Sequence, residues 1–234
     1  MPITHSTRFS TRGSKSTIYD PYAHLVAFDG SFSIGTGSVL VDGSTYNSHG
    51  AITTASWAAG LHTACLDFNS ATPDYVTIPA AYDQLDFTSE AFSIVARIYV
   101  DSLTVHRTIL SRHVDSASGY WFFILSTGLV YLRTSNLAGN QNTLGTVGGV
   151  LINTWYTVGM SRVGASVRVY RNGVDTTSSP GVHVDPVTNA GNAIIGVRND
   201  LATNPFDGKI EFCRVFGGVA LSATEHLRYH NNLK

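Results

Sequence analysis

Charged residues are scarce in this sequence, where they make up only 13% of 234 residues, about half the share found in an average globular protein. The formal net charge is −1, so no overall field favours nucleic acid or an anionic membrane, and neither is an expected partner. Two cysteines, Cys65 and Cys213, are too few for a disulfide scaffold or a four-ligand zinc site. Whether these two form one long-range disulfide stays open.

Long apolar segments are lacking as well. No run of about 18 apolar residues is present to span a membrane. Residues 1–21 contain no apolar stretch of the kind found in secretory signals. We therefore expect a protein that matures in the compartment where it is made.

What the sequence does contain is a regular series of short strand patterns. Hydrophobic residues make up 43% and aromatic residues 11%, which is enough for a sizeable core. Alternating apolar residues, separated by turn pairs such as Asn172-Gly173 and Asp207-Gly208, predict β-strands. Residues 37–50 are predicted to form a strand followed by a polar loop. The other predicted strands are 24–28, 64–68, 74–79, 92–100, 107–112, 119–125, 128–134, 155–162, 166–171, 193–198 and 209–216.

One helix signal stands near the end of the sequence. Residues 222–225 read Ser-Ala-Thr-Glu, which is a capping box, and apolar positions follow it. A series of short strands with a single terminal helix indicates an all-β fold, a two-sheet antiparallel jelly-roll sandwich. No linker or internal repeat divides residues 21–234, so we interpret them as one domain.

The first 20 residues differ from this domain in composition. They carry Arg8, Arg12 and Lys15 and no acidic residue before Asp20. One alternative is a flexible tail. The other is an assembly arm that becomes ordered on a neighbouring subunit or an acidic surface.

Several segments follow one another in an order that resembles a known family. They are 28–30, 42–50, 65–79, 85–103, 108–112, 119–128, 153–173, 193–199 and 206–225. In this order they resemble the laminin-G-like jelly-roll family of the concanavalin-A-like lectin/glucanase fold, over about residues 24 to 230. The sequence departs from the family pattern at 94–97, where a tryptophan is usual, and at 211–212, where two acids are common.

The resemblance implies a fold but no single function, since this fold hosts glycan binders, adhesion modules and hydrolases. Hydrolases of the fold carry an E-x-D-x-E pattern on one strand, because a retaining mechanism needs two carboxyl groups about 5 Å apart. This sequence has no such triplet, no G-x-S-x-G elbow and no H-E-x-x-H motif. We therefore predict that the protein is not an enzyme. His226 and His230 lack a third metal ligand, and we expect them at a solvated helix end.

Calcium is the cofactor that the resemblance implies. Relatives pair the opening Asp-containing loop with the late Asp-Gly segment, which here points to Asp42, Asn47 and Asp207. Loop carbonyls would complete a shell of about six to eight oxygen ligands. The alternative is ordinary turn chemistry, in which Asp and Asn side chains bond to their own backbone.

A ligand face is expected on the concave sheet. Strand 119–125 is apolar on both faces, which predicts burial on both sides or cover by a loop or a partner. Trp121 of this strand is therefore left open between the core and a binding surface. Aromatic platforms and arginines in a concave place suit a glycan or a protein partner. The candidate residues are Trp121, Tyr131, Arg133, Arg97 and Arg168.

Two functions remain. The first is a virion surface subunit, such as a phage capsid decoration or tail-associated protein, made in the host cytoplasm and displayed later. The basic arm, the low charge and the bias of twelve Arg over three Lys suit contacts with other subunits, and we expect a homo-oligomer that also accommodates glycan binding. The alternative is a lectin-like carbohydrate-binding module of an extracellular or polysaccharide-degrading system.

Overall fold

The computed structural model describes residues 24–30, 35–146, 148–178 and 181–232. The predicted arm, with Arg8, Arg12 and Lys15, lies outside the described residues. The described chain folds into sixteen strands and one α-helix, α1 (Ala223–Asn232). The strands are β1 (His24–Asp29), β2 (Val39–Leu40), β3 (Gly50–Thr53), β4 (Ser56–Ala59), β5 (Ala64–Phe68), β6 (Tyr75–Ile78), β7 (Phe92–Val100), β8 (Arg107–Val114), β9 (Ser118–Ile124), β10 (Val130–Asn136), β11 (Gly139–Leu144), β12 (Trp155–Val163), β13 (Ser166–Arg171), β14 (Val174–Asp175), β15 (Ala193–Ile195) and β16 (Gly208–Gly217).

The strands form two antiparallel sheets of eight strands each, which confirms the predicted jelly-roll sandwich. Sheet A has the order β14-β13-β12-β7-β16-β5-β4, and β1 pairs with the C-terminal half of β16. Sheet B has the order β11-β10-β9-β8-β15-β6-β3-β2. Many neighbours in these orders are far apart in sequence, so the sheets bring together side chains from distant segments.

The core lies between the inner faces of the two sheets. On β9, Tyr120, Phe122 and Ile124 are fully buried and belong to this core, as the alternating pattern predicts. Phe87 stacks on Phe92 with ring centroids 4.2 Å apart. The Asn172-Gly173 turn between β13 and β14 has φ angles of 51° and 78°, which fit the two left-handed positions of a tight hairpin.

Helix α1 covers the outer face of sheet A, where Val95, Phe212 and Phe216 pack against Tyr229. The predicted capping box is confirmed. The backbone N–H of Ser222 donates to Glu225 Oε2 at 2.7 Å, and the backbone N–H of Glu225 donates back to Ser222 Oγ at 3.3 Å. Among the described residues, no helix has the length and apolar character needed to cross a membrane.

The expectation of a solvated helix end is wrong for His226, which is only 2% exposed. Its ring occupies the space above Gly159, where a Cβ atom would lie 2.5 Å from His226 Nδ1. A glycine on the central part of β12 thus makes room for an imidazole that the helical pattern alone places outside. His230 is half-buried, and its Nδ1 shares a hydrogen bond with Thr157 Oγ1 at 3.2 Å.

Cys65 and Cys213 are both free and buried. Cys213 belongs to the core between the sheets, as does Leu66. Because successive residues of a strand face opposite sides, Cys65 points away from the core and from Cys213. The open question of a disulfide is therefore settled against it, and burial raises the pKa of each thiol to about 12.

Candidate functional site

The outer face of sheet B carries a groove of about 280 Å³. The register of the sheet places Thr53 beside Tyr75 and Thr77 beside Ile194, so their side chains share this face. Residues 113–114 of β8 and residues of segments 189–192 and 199–201 form the rest of the wall. The lining residues are Thr53, Tyr75, Thr77, His113, Val114, Asn189, Gly191, Asn192, Ile194, Asn199 and Leu201.

Several polar groups of the groove are unused. Thr53, Tyr75 and Thr77 are half-buried, and their hydroxyls make no hydrogen bond within the described chain. Asn192 is exposed, and its Oδ1 accepts the backbone N–H of Ala80 at 2.9 Å while its Nδ2 stays unused among the described groups. The groove therefore offers donors and acceptors, together with the half-buried side chain of Tyr75, to a ligand.

Asn199 holds the loop after β15 against the sheet. Its Oδ1 accepts the backbone N–H of His113 at 2.7 Å and the hydroxyl of Ser111, while its Nδ2 donates to the carbonyl of Asn192 at 2.7 Å. These contacts fix one wall of the groove, although the wall itself is irregular backbone.

An aromatic cluster lies next to the groove on the same face. In register, Tyr131 of β10 lies opposite Phe123, and Arg133 lies opposite Trp121. The rings of Trp121 and Phe123 stack with centroids 3.7 Å apart, and Tyr131 packs on Phe123 at 4.6 Å. The structure thus brings together three of the five predicted ligand residues: Trp121, Tyr131 and Arg133.

Trp121 is nevertheless not an open platform, because it is only 2% exposed. The guanidinium carbons of Arg198 and Arg133 lie 5.1 Å and 5.6 Å from its ring centroid, and its Nε1–H donates to Thr108 Oγ1 at 3.0 Å. Trp121, which the sequence left open between the core and a binding surface, is therefore a buried residue. The second apolar face of β9 is covered by arginines of the same chain.

Asp115, which follows β8, holds these two arginines in place. Its Oδ1 lies 3.1 Å from Arg133 Nη1 and 3.5 Å from Arg198 Nη2, and it accepts Asn140 Nδ2–H at 3.0 Å. Partial burial acts to raise the pKa of Asp115. The hydrogen bond from Asn140 and the charges of Arg198 and Arg133 outweigh that effect and lower the pKa below its usual value.

His113 forms part of the groove wall and is only 2% exposed. Its Nε2 shares a hydrogen bond with Ser135 Oγ at 2.8 Å. Burial, helped by the positive charge of Arg198, lowers the pKa of His113 to about 4. The imidazole is therefore neutral at physiological pH.

The prediction that Arg97 and Arg168 share the ligand face is wrong. Arg97 lies on β7 in sheet A, is buried below α1, and pairs with Glu211 at 3.2 Å. Arg168 lies on β13 of sheet A and pairs with Asp175 at 3.1 Å. Alternation shows which side chains of one strand share a face. It does not show which of two sheets the strand joins.

The predicted calcium ligands do not form a joint site. Asp42 already accepts hydrogen bonds from the backbone N–H and hydroxyl of Ser44, at 2.9 Å and 2.6 Å, and from the backbone N–H of Ser48 at 2.8 Å. Asn47 is exposed, with a φ of 52°, and donates to the carbonyl of Thr45 at 3.4 Å. This is the turn chemistry that the sequence left as the alternative.

Asp207 lies far from that loop. Asp42 is bridged to Phe28, which pairs with Cys213, whereas Asp207 precedes Gly208. About 20 Å of extended chain along β16 separates Cys213 from Asp207. Asp42 and Asp207 are therefore too far apart to bind the same ion. Asp207 lies 3.5 Å from Arg107 Nη2, and no group of three His, Cys, Asp or Glu side chains among the described residues is placed to hold a metal. Asp207 instead lines a separate polar depression of about 340 Å³. The other lining residues are Ser56, Asp67, Phe68, Asn69, Asp74 and Asp101.

The groove itself was not predicted from the sequence. Tyr75 and Thr77 alternate in the predicted strand 74–79, so their shared face was available as a signal. No local sequence pattern indicates the three other polar residues His113, Asn192 and Asn199. They meet only because β8 pairs with β15 and the loop after β15 folds back onto the sheet.

Two packed antiparallel sheets with a groove on one outer face define a jelly-roll β-sandwich. A model of the laminin G-like family, described as the concanavalin A-like lectin/glucanases superfamily, matches residues 70–225. Because this match spans more than half of the chain, the protein belongs to that family. A search of curated protein sequences found no match.

Solved structures with the same fold include three of different biological origin. Domain 4 of AbnA, an extracellular GH43 arabinanase from Geobacillus stearothermophilus solved with arabinotriose, has a TM-score of 0.66 at 18% identity, covering 90% of this chain and 99% of that one. The botulinum neurotoxin serotype C1 binding domain has a TM-score of 0.64 at 14% identity, covering 91% and 52%. Trypanosoma rangeli sialidase, solved with the inhibitor DANA, has a TM-score of 0.60 at 15% identity, covering 88% and 32%. The chain thus spans about half of the second and a third of the last, and these likenesses concern the fold.

Proposed function

We propose that the protein is a non-catalytic carbohydrate-binding module whose ligand lies in the groove on the outer face of sheet B. The observation that carries this proposal is the set of unused polar groups on Thr53, Tyr75, Thr77 and Asn192. A sugar presents many hydroxyls and a ring face. Such a ligand matches a site with several half-exposed donors and acceptors beside an aromatic ring.

The size of the groove sets the length of ligand. Its volume of about 280 Å³ lies at the lower end of small-molecule sites, which span about 300–1,000 Å³. We infer that one or two sugar units occupy the groove and that any longer chain continues over the rim. A carbohydrate ligand is in keeping with two structures of the same fold, the arabinanase domain solved with arabinotriose and a botulinum neurotoxin type C structure whose cell entry depends on two ganglioside molecules.

Binding without catalysis is supported by the lining of the groove. Glycoside hydrolysis generally uses two carboxyl groups that flank the scissile bond. None of the described residues that line the groove is Asp or Glu. Asp115, near the aromatic cluster, is engaged with Arg133 and Asn140.

A saccharide panel tests the proposal. The full chain is screened against oligosaccharides that include arabinotriose and ganglioside headgroups, and binding is measured by calorimetry. Tyr75→Ala should weaken binding of any positive saccharide by about tenfold, because it removes both a ring face and a hydroxyl. Tyr46→Ala, at an exposed tyrosine in the loop before β3, is the matched control and should bind like the wild type. A panel without any binder, or equal binding by the two variants, contradicts the proposal.

A virion-surface subunit remains the second candidate function. The composition of residues 1–20 favours it, since a basic segment without acids suits an arm that docks on another subunit. Strand β9 no longer supports it, because its outer face is covered within the chain. If the protein is a virion subunit, we expect it to form homo-oligomers and to be displayed on the virion. If it is a carbohydrate-binding module only, we expect it to act outside the cell.

A further inference from the structure

A chain of hydrogen bonds connects Asp115 to the groove wall, and it begins with Asn140. The ionised carboxylate of Asp115 only accepts hydrogen bonds, so it must face the Asn140 amide nitrogen, at 3.0 Å. The backbone N–H of Ser116 only donates, and it faces Asn140 Oδ1 at 2.9 Å. These two contacts fix the orientation of the Asn140 amide without ambiguity.

The fixed amide in turn fixes Ser135. Its Oγ lies 2.5 Å from Asn140 Oδ1. Two oxygens approach so closely only when a hydrogen lies between them, and Asn140 Oδ1 has none to give. The single hydroxyl hydrogen of Ser135 is therefore directed to Asn140.

Ser135 consequently has only an acceptor left for its next neighbour. His113 Nε2 lies 2.8 Å from Ser135 Oγ, and it must carry the hydrogen of that contact. Since burial keeps the ring neutral, with a pKa of about 4, the other nitrogen, Nδ1, bears a lone pair. This Nδ1 is buried, and no hydrogen-bond donor meets it within the described chain.

We propose that His113 Nδ1 is the specificity-determining acceptor of the groove, and that it selects a saccharide able to donate a hydroxyl hydrogen at that point. The inference rests on the proposed function and names a feature of the ligand. His113 lines the groove, yet its Nδ1 is closed off from solvent. Pairing of a ligand hydroxyl with Nδ1 therefore requires the wall beside His113 to yield, and it then relieves a buried unsatisfied acceptor.

This arrangement discriminates between sugars, because a ligand without a hydroxyl at this point leaves His113 Nδ1 without a hydrogen-bond donor. A site with a buried acceptor rejects a ligand that lacks the matching donor more strongly than an apolar site does, because the acceptor stays unpaired. A saccharide with a deoxy or O-methyl group in place of that hydroxyl should therefore bind at least about tenfold more weakly. The relay from Asp115 acts through His113, so Asn140 and Ser135 are positioning residues.

The tautomer is tested first and needs no ligand. Nitrogen-15 NMR of the histidine side chains should show His113 with a protonated Nε2 and a bare Nδ1 at neutral pH. Asn140→Ala frees the Ser135 hydroxyl to donate to His113, so this variant should shift the ring towards the Nδ1-protonated form. A wild-type ring protonated at Nδ1 overturns the inference, whatever the chain binds.

The second test compares two replacements of His113 on arabinotriose and on the panel member that the wild type binds most tightly. His113→Gln keeps a donor near Ser135 but loses the acceptor at the Nδ1 position, and it should bind about tenfold more weakly. His113→Asn places an amide oxygen near that position and should bind more tightly than the glutamine variant. Circular dichroism and melting temperature verify that both variants are folded.

The outcomes separate this inference from the proposed function. Unchanged affinity of His113→Gln, or equal losses in both variants, overturns the inference and leaves carbohydrate binding in place. A panel on which the wild type binds nothing overturns the proposed function and the acceptor role with it, and the NMR result still decides the hydrogen-bond relay.

Discussion

The imidazole of His226 lies flat against the ring of Tyr170, with centroids 3.8 Å apart and planes inclined by 19°. Its Nε2 shares a hydrogen bond with Ser161 Oγ at 2.9 Å. Helix α1 is thus joined to sheet A through a buried histidine, where the amphipathic pattern of a short helix suggests a solvated side chain. This contact makes the attachment of the helix sensitive to protonation.

Stability should fall in mild acid. Burial lowers the pKa of His226 to about 3, against the opposing charges of Glu225 and Asp175, and lowers those of His113 and His183 to about 4. In the unfolded chain each ring has a pKa of about 6.5. Between about pH 4 and 6.5 the unfolded state therefore binds up to three more protons. The stability that these neutral rings contribute is fully present above about pH 6.5 and is lost as the pH falls. Near pH 5 the free energy of unfolding should decrease by about 4 kcal/mol for each pH unit.

Urea unfolding at half-unit steps from pH 4.5 to 7.5 measures this dependence. His226→Gln should reduce the slope by about a third, since one of three rings is removed. Leu227→Gln, at an exposed position of the same helix that carries no titratable group, serves as the control and should leave the slope as it is. A free energy of unfolding that is constant across the range contradicts the prediction.

The buried pair of Arg97 and Glu211 should matter far more to stability than the exposed pair of Arg168 and Asp175. Both side chains of the first pair are at most 3% exposed, so Arg97→Met leaves a buried carboxylate without its cation and should cost about 3 kcal/mol. Arg168 is 49% exposed, and Arg168→Met should cost less than about 1 kcal/mol. Chemical denaturation of the two variants gives the comparison, and equal losses would show that burial does not govern these pairs.

Chelation should leave the melting temperature unchanged. The oxygens of Asp42 are occupied by Ser44 and Ser48, and Asp207 lies elsewhere on the sandwich, so no calcium site depends on them jointly. Calorimetric scans with EDTA and with added calcium provide the measurement. A midpoint that rises with calcium would show that another set of oxygens binds the ion.

Deletion of residues 1–20 should leave the sandwich folded but abolish oligomerisation or attachment. The change in composition near Asp20 motivates this expectation. Far-ultraviolet circular dichroism checks the fold, and light scattering compares the assembly states of the full and truncated chains. An unchanged assembly state removes the arm from the virion-subunit hypothesis.

Much of the secondary structure was predictable because alternation and turn residues are local signals. The strand predicted at 193–198 ends instead at Ile195, since Gly196 has a φ of 93°. Strands β3, β4, β11 and β14 were not predicted. The last three are edge strands, and β11 reads Gly-Asn-Gln-Asn-Thr-Leu, which lacks an apolar alternation.

The candidate site was predictable only in part. Tyr131 and Arg133 share a face with Trp121 as expected, because residues two apart on a strand point the same way and cross-strand partners follow from the hairpin. Arg97 was misplaced, since its strand lies at the centre of the other sheet. The cover that Arg198 provides over Trp121 comes from a loop that is 77 residues away in sequence, and no local pattern indicates it.

By itself, the sequence determined the class of fold, the two-sheet sandwich and the capped helix, because these follow from periodicity, turn chemistry and capping within a few residues of one another. Only the tertiary structure decided which side chains meet. It buried Trp121 under Arg133 and Arg198, occupied Asp42 with its own loop, and placed His113 in the wall of a groove. The physical reason is that these contacts depend on strand order and loop cover, which join segments far apart along the chain.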